Sequence, residues 1–468
     1  MRREKNGPVR PVCRRRFCSV FCSLLIVQFL ALSAFAQNFS GDAREIGLGG
    51  VGETGNISAK MIAPSRSYRA IMFPLGVIQA VRNRDRFRPD SADFDPAFAL
   101  EYAASPLHYT LDRGPSGTAA RFVHDIVNGT INRDLSFYSG FVPARELVAE
   151  GLASPSYGYT FKFAKDGERR FHGVYFGVGP YLSLRTALDV DQQLRDLLSA
   201  PPNSRLTNAS LSITDDSGAQ AALAVTAGYR TRIGLPGSAG KTSSQRDGIY
   251  FAANYHYLRG YRYDTANMRF RFDTDSAGLI TLNPTTTPAV IDHLYSSSGT
   301  GYAMDFGMGA VIDRWQFGLG ANGVGNRIDW KDFNREQFTL QSLVTGGAFV
   351  RQPVAPGISE VQVRLPVNYT GNVSYDAGPL YATADISHGF QGLNFHGGVE
   401  KRLSRIEFRG GGRFSRDRWH PTGGLGLNLI GRLSIDVAAF GSSTNIQSKE
   451  RVALAASIRL NRTVAEAK

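Results

Sequence analysis

Apolar and polar side chains alternate one by one along most of the chain. In the segment Tyr302–Asn322, aromatic and aliphatic residues occupy every second position, with small or polar residues between them. Asp313 and Arg314 interrupt the alternation and predict a tight turn. Because successive side chains of a strand point to opposite faces, this segment is predicted to form a β-hairpin with one apolar face.

The same period of two recurs through the rest of the chain. Further alternating segments are Tyr157–Phe163, Val174–Val178, Ile249–Tyr257, Arg405–Arg409, Gly424–Leu429, Arg432–Val437 and Arg451–Leu460. The first convincing strand begins near Tyr68. Two short helices are predicted besides the strands, one over Val190–Leu198 and a weaker one over Pro143–Leu152. The fold class is therefore predicted to be all-β.

The residues opposite the apolar face indicate where the strands lie. They are often Gly, Asn, Ser or Arg, and several strands begin or end with an aromatic residue. An antiparallel barrel in lipid has this arrangement, with apolar side chains outward, polar ones inward and aromatic rings at both interfaces. We expect a closed transmembrane β-barrel of about 14 strands, because unpaired strand edges are not tolerated in hydrocarbon. A soluble periplasmic β-protein is the alternative.

The N-terminus has the pattern of a secretory signal. Arg14–Arg16 precede an apolar run over 17–32, and Ala34-Phe35-Ala36 places small residues at a peptidase site. We predict cleavage after Ala36 and divide the chain into a signal peptide (1–36), an N-terminal plug segment (37–67), a barrel (68–460) and a C-terminal tail (461–468). The predicted location is the bacterial outer membrane.

Composition excludes several classes of protein. The signal segment holds all three cysteines, seven of the 53 basic residues and one of the 40 acidic residues, so its removal lowers the net charge from +13 to +7. A cysteine-ligated metal site and a disulfide-stapled domain are therefore excluded. A bundle of transmembrane helices is excluded too, because the only long apolar run belongs to the signal.

Motifs for catalysis and cofactor binding are weak. Gly47–Gly52 and Gly318–Gly323 both fit G-x-G-x-x-G, but neither has the strand before and helix after that a dinucleotide site needs. The eight histidines show no metal-ligand spacing. Asp292 and His293 are adjacent, so they should point to opposite faces of a strand and form no dyad. We expect no enzyme activity, no cofactor and no metal.

Charged residues on the polar faces of strands are candidates for the barrel lumen. They are Arg269, Arg271, Asp305, Arg405, Glu407 and Arg409. Pairing between lumenal arginines and nearby carboxylates is the first interpretation, and attraction of an anionic solute is the second. Nucleic acid is not expected as a partner, because export separates the chain from it.

Three segments resemble the FadL/PorV/TraF-like superfamily of outer-membrane proteins. Gly41–Gly52 is similar to the mature N-terminus of its members. Met304–Ala310 followed by Arg314–Gly320 is similar to a hairpin of that family, and Gly424–Leu429 followed by Leu433–Ala439 is similar to a late strand pair. The resemblance implies a 14-stranded barrel with its N-terminal segment folded inside as a plug.

The family resemblance and the pattern together predict a passive outer-membrane channel for small, hydrophobic or anionic solutes. The alternative is a non-transporting barrel that assists protein secretion or conjugation and binds a protein partner. Membrane lipid and a small solute are the other expected partners. The plug candidates are Arg44, Glu45, Gly47, Gly49 and Gly50, because this glycine-rich, polar stretch precedes the first strand and lacks a strand pattern.

Overall fold

A computed structural model gives the structure of the chain. It describes residues 42–50, 68–87, 93, 95, 98, 102, 108–111, 117–143, 146–153, 157–166, 170–235, 247–281, 289–340, 344–345, 349–390, 392–415, 418–429, 433–442, 447 and 449–461. The predicted signal peptide, most of the predicted plug segment and all but one residue of the predicted tail lie outside the described residues.

Twenty antiparallel strands and four α-helices form the described part of the chain. The strands are β1 (Tyr68–Phe73), β2 (Tyr109–Thr110), β3 (Glu146–Ala153), β4 (Tyr157–Asp166), β5 (Arg170–Val190), β6 (Ser210–Gly234), β7 (Gly248–Asp273), β8 (Ala289–Ser296), β9 (Ser298–Ile312), β10 (Trp315–Lys331), β11 (Asn334–Leu340), β12 (Phe349–Val354), β13 (Glu360–Val363), β14 (Asn368–Asp376), β15 (Leu380–Gly389), β16 (Gly392–Arg402), β17 (Ile406–Ser415), β18 (Arg418–Asn428), β19 (Leu433–Ser442) and β20 (Arg451–Asn461). The helices are α1 (Ala43–Gly47), α2 (Leu75–Arg82), α3 (Thr118–Asn128) and α4 (Gln192–Ser199), with 3-10 turns at Arg84–Phe87 and Leu135–Tyr138.

The total of 20 strands differs from the predicted 14, but 14 of them form one continuous ladder. One continuous ladder runs from β1 through β20 back to β14, then through β10, β9, β7, β6 and β5 to β4. Of the other six strands, β2 pairs with β20. The remaining five pair along one end of this ladder, because β5, β6, β7 and β10 continue well beyond their neighbours. Within the described residues, β1 and β4 end the ladder and no pairing joins them.

The two faces of the ladder have the polarity expected in lipid. Large apolar side chains such as Phe306, Phe317 and Leu319 are exposed on one face, and the same face of β16–β19 exposes Phe395 and Phe408. The other face buries polar residues; they include Asn254, His256, Asp305, Asn322, Thr370, Asp385, His396, Glu400, Arg409 and Asp436. A soluble sandwich would bury the apolar face and expose the polar one. The exposed apolar belt and polar interior therefore identify a transmembrane β-barrel wall, as the sequence predicted, and place it in the outer membrane.

A second layer covers the extended strands at one end of the wall. α3, α4 and the 3-10 turn at Leu135–Tyr138 pack with β6, β7 and β11 around a core that includes Phe122, Leu194, Leu198 and Phe270. Asp191 caps α4 by accepting from Gln193 N at 2.8 Å, so the helix predicted over Val190–Leu198 is confirmed. The weaker helix prediction over Pro143–Leu152 is wrong. Residues Glu146–Leu152 of that range belong to β3, which pairs with the extended end of β5, so sheet pairing outweighs the local helical pattern there.

No helix in the described part of the chain is long and apolar enough to cross a membrane.

Candidate functional site

The short helix α1 lies on the polar, inner face of the wall. Asp42 caps the helix by accepting a hydrogen bond from Arg44 N at 2.9 Å. Ser457 of β20 ties this cap to the wall, since its hydroxyl donates to Asp42 Oδ1 at 3.2 Å and accepts from Ala43 N at 3.1 Å. Ala43 and Ile46 pack with Ala438, Phe440 and other small or apolar residues of β19 and β20. The helix is thus fixed by both polar and apolar contacts.

Glycines allow α1 and the wall to approach backbone to backbone. An added Cβ at Gly398 would lie 2.6 Å from Leu48 Cα, and one at Gly411 would lie 2.8 Å from Gly49 N. On the helix side, Gly49 and Gly50 have φ of 87° and 84°, a conformation that side chains other than glycine's disfavour. The close fit therefore requires glycine on both surfaces.

A buried ionic network lies beside α1. Glu400 of β16 accepts from three guanidinium groups: Arg44 Nε at 2.8 Å, Arg402 Nε at 2.7 Å and Arg409 Nε at 2.7 Å. Arg409 also contacts Glu407 and Asp436, and Arg459 bridges the same two carboxylates. Glu400 and Arg409 are completely buried, so each charge depends on its partners for stabilisation.

The structure brings together only some of the predicted site residues. Arg44, Glu45, Gly47, Gly49 and Gly50 lie in or next to α1, and Glu407 and Arg409 face them from β17. The other predicted lumenal residues lie elsewhere. Arg269 and Arg271 are exposed on the extended part of β7, and Arg405 is exposed in the turn before β17.

The central residues of the network were not singled out from sequence. They are Glu400, Asp436 and Arg459. The alternation around Asp436 and Arg459 does place both on a polar face, so the orientation of these two side chains could be predicted from the sequence. No local pattern connects Glu400 to Arg44, because the two residues are 356 positions apart.

Asp305 takes part in a different cluster on the inner face. His256 of β7 lies between Thr226 Oγ1, 2.7 Å from Nδ1, and Asp305 Oδ2, 2.7 Å from Nε2. Asp305 also accepts from Gly323 N at 2.9 Å, so the carboxylate fixes the bulge in β10. The predicted separation of Asp292 and His293 is confirmed: Asp292 pairs with Arg335, whereas His293 pairs with Asp264.

Apolar side chains line the inner face between the His256–Asp305 cluster and the extended strands. We call this set the inner apolar cluster; it consists of Tyr181, Ala222, Ala224, Leu258, Ala303, Ile328, Trp330 and Phe333. Trp330 lies across two neighbouring strands, because Gly260 and Gly299 leave room for its ring, and its Nε1 donates to Gln220 Oε1 at 3.3 Å. The ring therefore spans the wall from β10 to β6.

A metal site needs several His, Cys, Asp or Glu side chains close together. Within the ranges that the structure describes, no group of three or more His, Cys, Asp or Glu side chains could hold an ion.

Comparison with known proteins gives loose structural likenesses. No family model matches the chain, and no curated protein is significantly similar in sequence. The Ralstonia pickettii toluene transporter TbuX matches 68% of this chain and 88% of its own at 10% identity, with a TM-score of 0.33. The Pseudomonas putida toluene transporter TodX matches 64% of this chain and 91% of its own at 10% identity, with a TM-score of 0.26.

A porin is a more distant structural likeness. A Rhodopseudomonas blastica porin mutant matches 61% of this chain and all of its own at 6% identity, with a TM-score of 0.20. The assignment as an outer-membrane barrel rests on the strand ladder, the exposed apolar belt and the buried polar interior.

Proposed function

We propose that the protein is an outer-membrane channel for small apolar solutes, closed by an N-terminal plug that includes α1. The observation that carries the proposal is the position of α1 on the inner face, held by the Arg44–Glu400 pair and the glycine contacts. A segment so placed narrows the lumen, and its release would widen it. Passage would then be passive, down the concentration gradient of the solute.

The inner surface favours an apolar solute over an anionic one. The arginines near α1 each pair with carboxylates, so the network offers little net positive charge to an anion. The inner apolar cluster, in contrast, fills the interior at the extended end of the wall with apolar side chains, and Leu258 and Trp330 are completely buried within it. A solute that passes this point must displace apolar side chains, which an apolar molecule replaces at a lower cost than an anion does.

Deletion of residues 37–67 tests the role of the plug. We expect a folded barrel whose ion conductance in planar bilayers is higher than that of the intact protein. A folded deletion variant with unchanged conductance would mean that the segment does not close the pore. Co-purification of a protein with that variant and with the intact chain would then favour the accessory role in secretion or conjugation.

Trp330→Ala tests the class of solute. Removing the indole opens space between Gly260, Gly299 and Gln220, so we expect faster uptake of an aromatic hydrocarbon into liposomes that contain the variant. Uptake of a small carboxylate should change less. The proposal of an apolar solute fails if both solutes respond equally, or if neither the intact protein nor the variant admits the hydrocarbon.

A further inference from the structure

An apolar groove opens on the lipid-facing side of the wall, away from the lumen. It lies across β6, β7, β9 and β10 and has a volume of about 460 Å³. Tyr229, Phe251, Phe306, Met308 and Leu319 form its sides. All five project from the exposed apolar belt, so the groove faces hydrocarbon.

The strand register explains the shape of the groove. Tyr229, Ala253, Phe306 and Ala321 are successive partners across four strands, so large and small side chains alternate along one row. Ala253 lies between the rings of Tyr229 and Phe306, and Ala321 lies beyond Phe306. The two alanines leave notches between the aromatic rings.

A polar group adjoins this groove, which is unusual on a lipid-facing surface. His172 of β5 and Thr231 of β6 are direct partners on the outward face, and Thr231 Oγ1 lies 3.1 Å from His172 Nδ1. The hydroxyl of Tyr229, whose ring lines the groove, hydrogen-bonds the same nitrogen.

The polar group lies near one membrane interface. Thr231 and Phe251 are partners, and the two strands end three residues further on, at Gly234 and Gly248. Apart from the connection between β6 and β7, the connections at this end of the wall are short: those of β9–β10, β14–β15, β16–β17 and β18–β19 have two to four residues each. Predominantly short turns mark the periplasmic side of bacterial barrels, so His172 lies at the depth of the periplasmic leaflet's headgroups and ester carbonyls.

The hydrogen bonds define which atom of His172 is available. Two hydroxyl groups converge on Nδ1, and where a hydroxyl donates to Nδ1 the ring proton lies on Nε2. No residue in the described part of the chain contacts Nε2 through a hydrogen bond. The Nε2–H group is thus a donor for an oxygen atom supplied from outside the protein.

We propose that this surface binds one phospholipid of the periplasmic leaflet. One acyl chain fills the notch at Ala253, and a phosphate or ester oxygen accepts from His172 Nε2. The occupant must combine hydrocarbon with an oxygen acceptor at the interface, because the groove is apolar and the adjacent group is a donor. This inference does not depend on the proposed channel activity.

The test is native mass spectrometry of the full chain, delipidated in dodecyl maltoside and titrated with palmitoyl-oleoyl phosphatidylethanolamine. We expect one lipid to bind before any others. Ala253→Phe fills the notch and should weaken that first binding step at least tenfold. Ala384→Phe, a half-exposed outward position on β15, adds the same ring to the belt outside the groove and should leave binding unchanged.

His172→Phe tests the polar half of the site and should also weaken the first step, while keeping the ring's bulk. If Ala253→Phe does not fold, Ala321→Phe tests the neighbouring notch. The proposal is overturned if the groove variants and Ala384→Phe bind alike, or if the intact protein binds lipids without a distinct first step. It is also overturned if His172→Phe binds as tightly as the intact protein, because the acyl chain alone would then account for binding.

Discussion

Arg44 of α1 binds Glu400 of β16 through two parallel hydrogen bonds, from Nε to Oε2 at 2.8 Å and from Nη2 to Oε1 at 3.0 Å. This fork-to-fork geometry is the strongest form of an arginine–carboxylate contact. Glu400 is buried and also accepts from Arg402 and Arg409. The N-terminal segment is therefore joined to the charge network of the wall through one carboxylate.

Replacement of that carboxylate should release α1. Glu400→Gln leaves three guanidinium groups around a neutral amide, and breaking a buried pair in this way costs about 3–5 kcal/mol. We expect lower hydrogen-exchange protection at Ile46 and Leu48 and higher conductance. Glu360→Gln is the matched control, because the Glu360–Lys331 pair is solvent-exposed. Unchanged protection in Glu400→Gln would show that the network does not hold the helix.

Two neighbouring glycines of the wall should respond differently to the same substitution. A Cβ at Gly398 would lie 2.6 Å from Leu48 Cα, so Gly398→Ala should displace α1. Gly410→Ala should be tolerated, because nothing lies within 4 Å of its added Cβ. Protease cleavage near residue 50 should accelerate in the first variant and not in the second. Equal rates in the two variants would contradict the close backbone contact.

A charge placed on the apolar belt should destabilise the barrel. Phe306→Arg puts a guanidinium group on the lipid-facing side, with an expected cost of about 2–4 kcal/mol near the midplane. Ile358→Arg is the control, since Ile358 is equally exposed but follows β12 beyond the belt. Urea-induced unfolding in lipid vesicles would measure both. Similar destabilisation at the two positions would argue against lipid contact at Phe306.

The period of two predicted the wall well because it reports directly on the two faces of a strand. Phe306 and Phe317 are exposed and Asp305 is buried, as the alternation required. The pattern could not give the total number of strands, because it does not separate the wall from its extensions. β7 is 26 residues long, and its alternation continues past the belt into a part where Phe270 packs under α3 and α4 instead of facing lipid.

The candidate site was less predictable than the wall. The glycine-rich stretch 41–52 marked the N-terminal segment, and α1 falls within it. Its partner Glu400 could not be found, because a strand's register decides which carboxylate reaches Arg44, and register follows from pairing along the whole ladder. The polar group at His172 was missed for a related reason: His172, Tyr229 and Thr231 meet only across the β5–β6 pair.

The second layer, which covers the extended strands, should lose stability in acid because Asp134 becomes protonated. The Ser136 hydroxyl donates to this carboxylate at 2.7 Å and Arg205 Nη2 at 2.6 Å, and these contacts hold the pKa of Asp134 below its ordinary value of 3.8. A lowered folded-state pKa means that the ionised group stabilises the fold above the ordinary value. That stabilisation is lost as the pH falls through the lowered folded value. We therefore expect hydrogen-exchange protection factors near Ser136 to fall as the pH drops below about 4, the ordinary value for an aspartate. Asp134→Asn removes the titrating group, so its protection should be lower at pH 6 and should not change as the pH drops below that value. An equal fall in the variant would assign the acid sensitivity to another carboxylate.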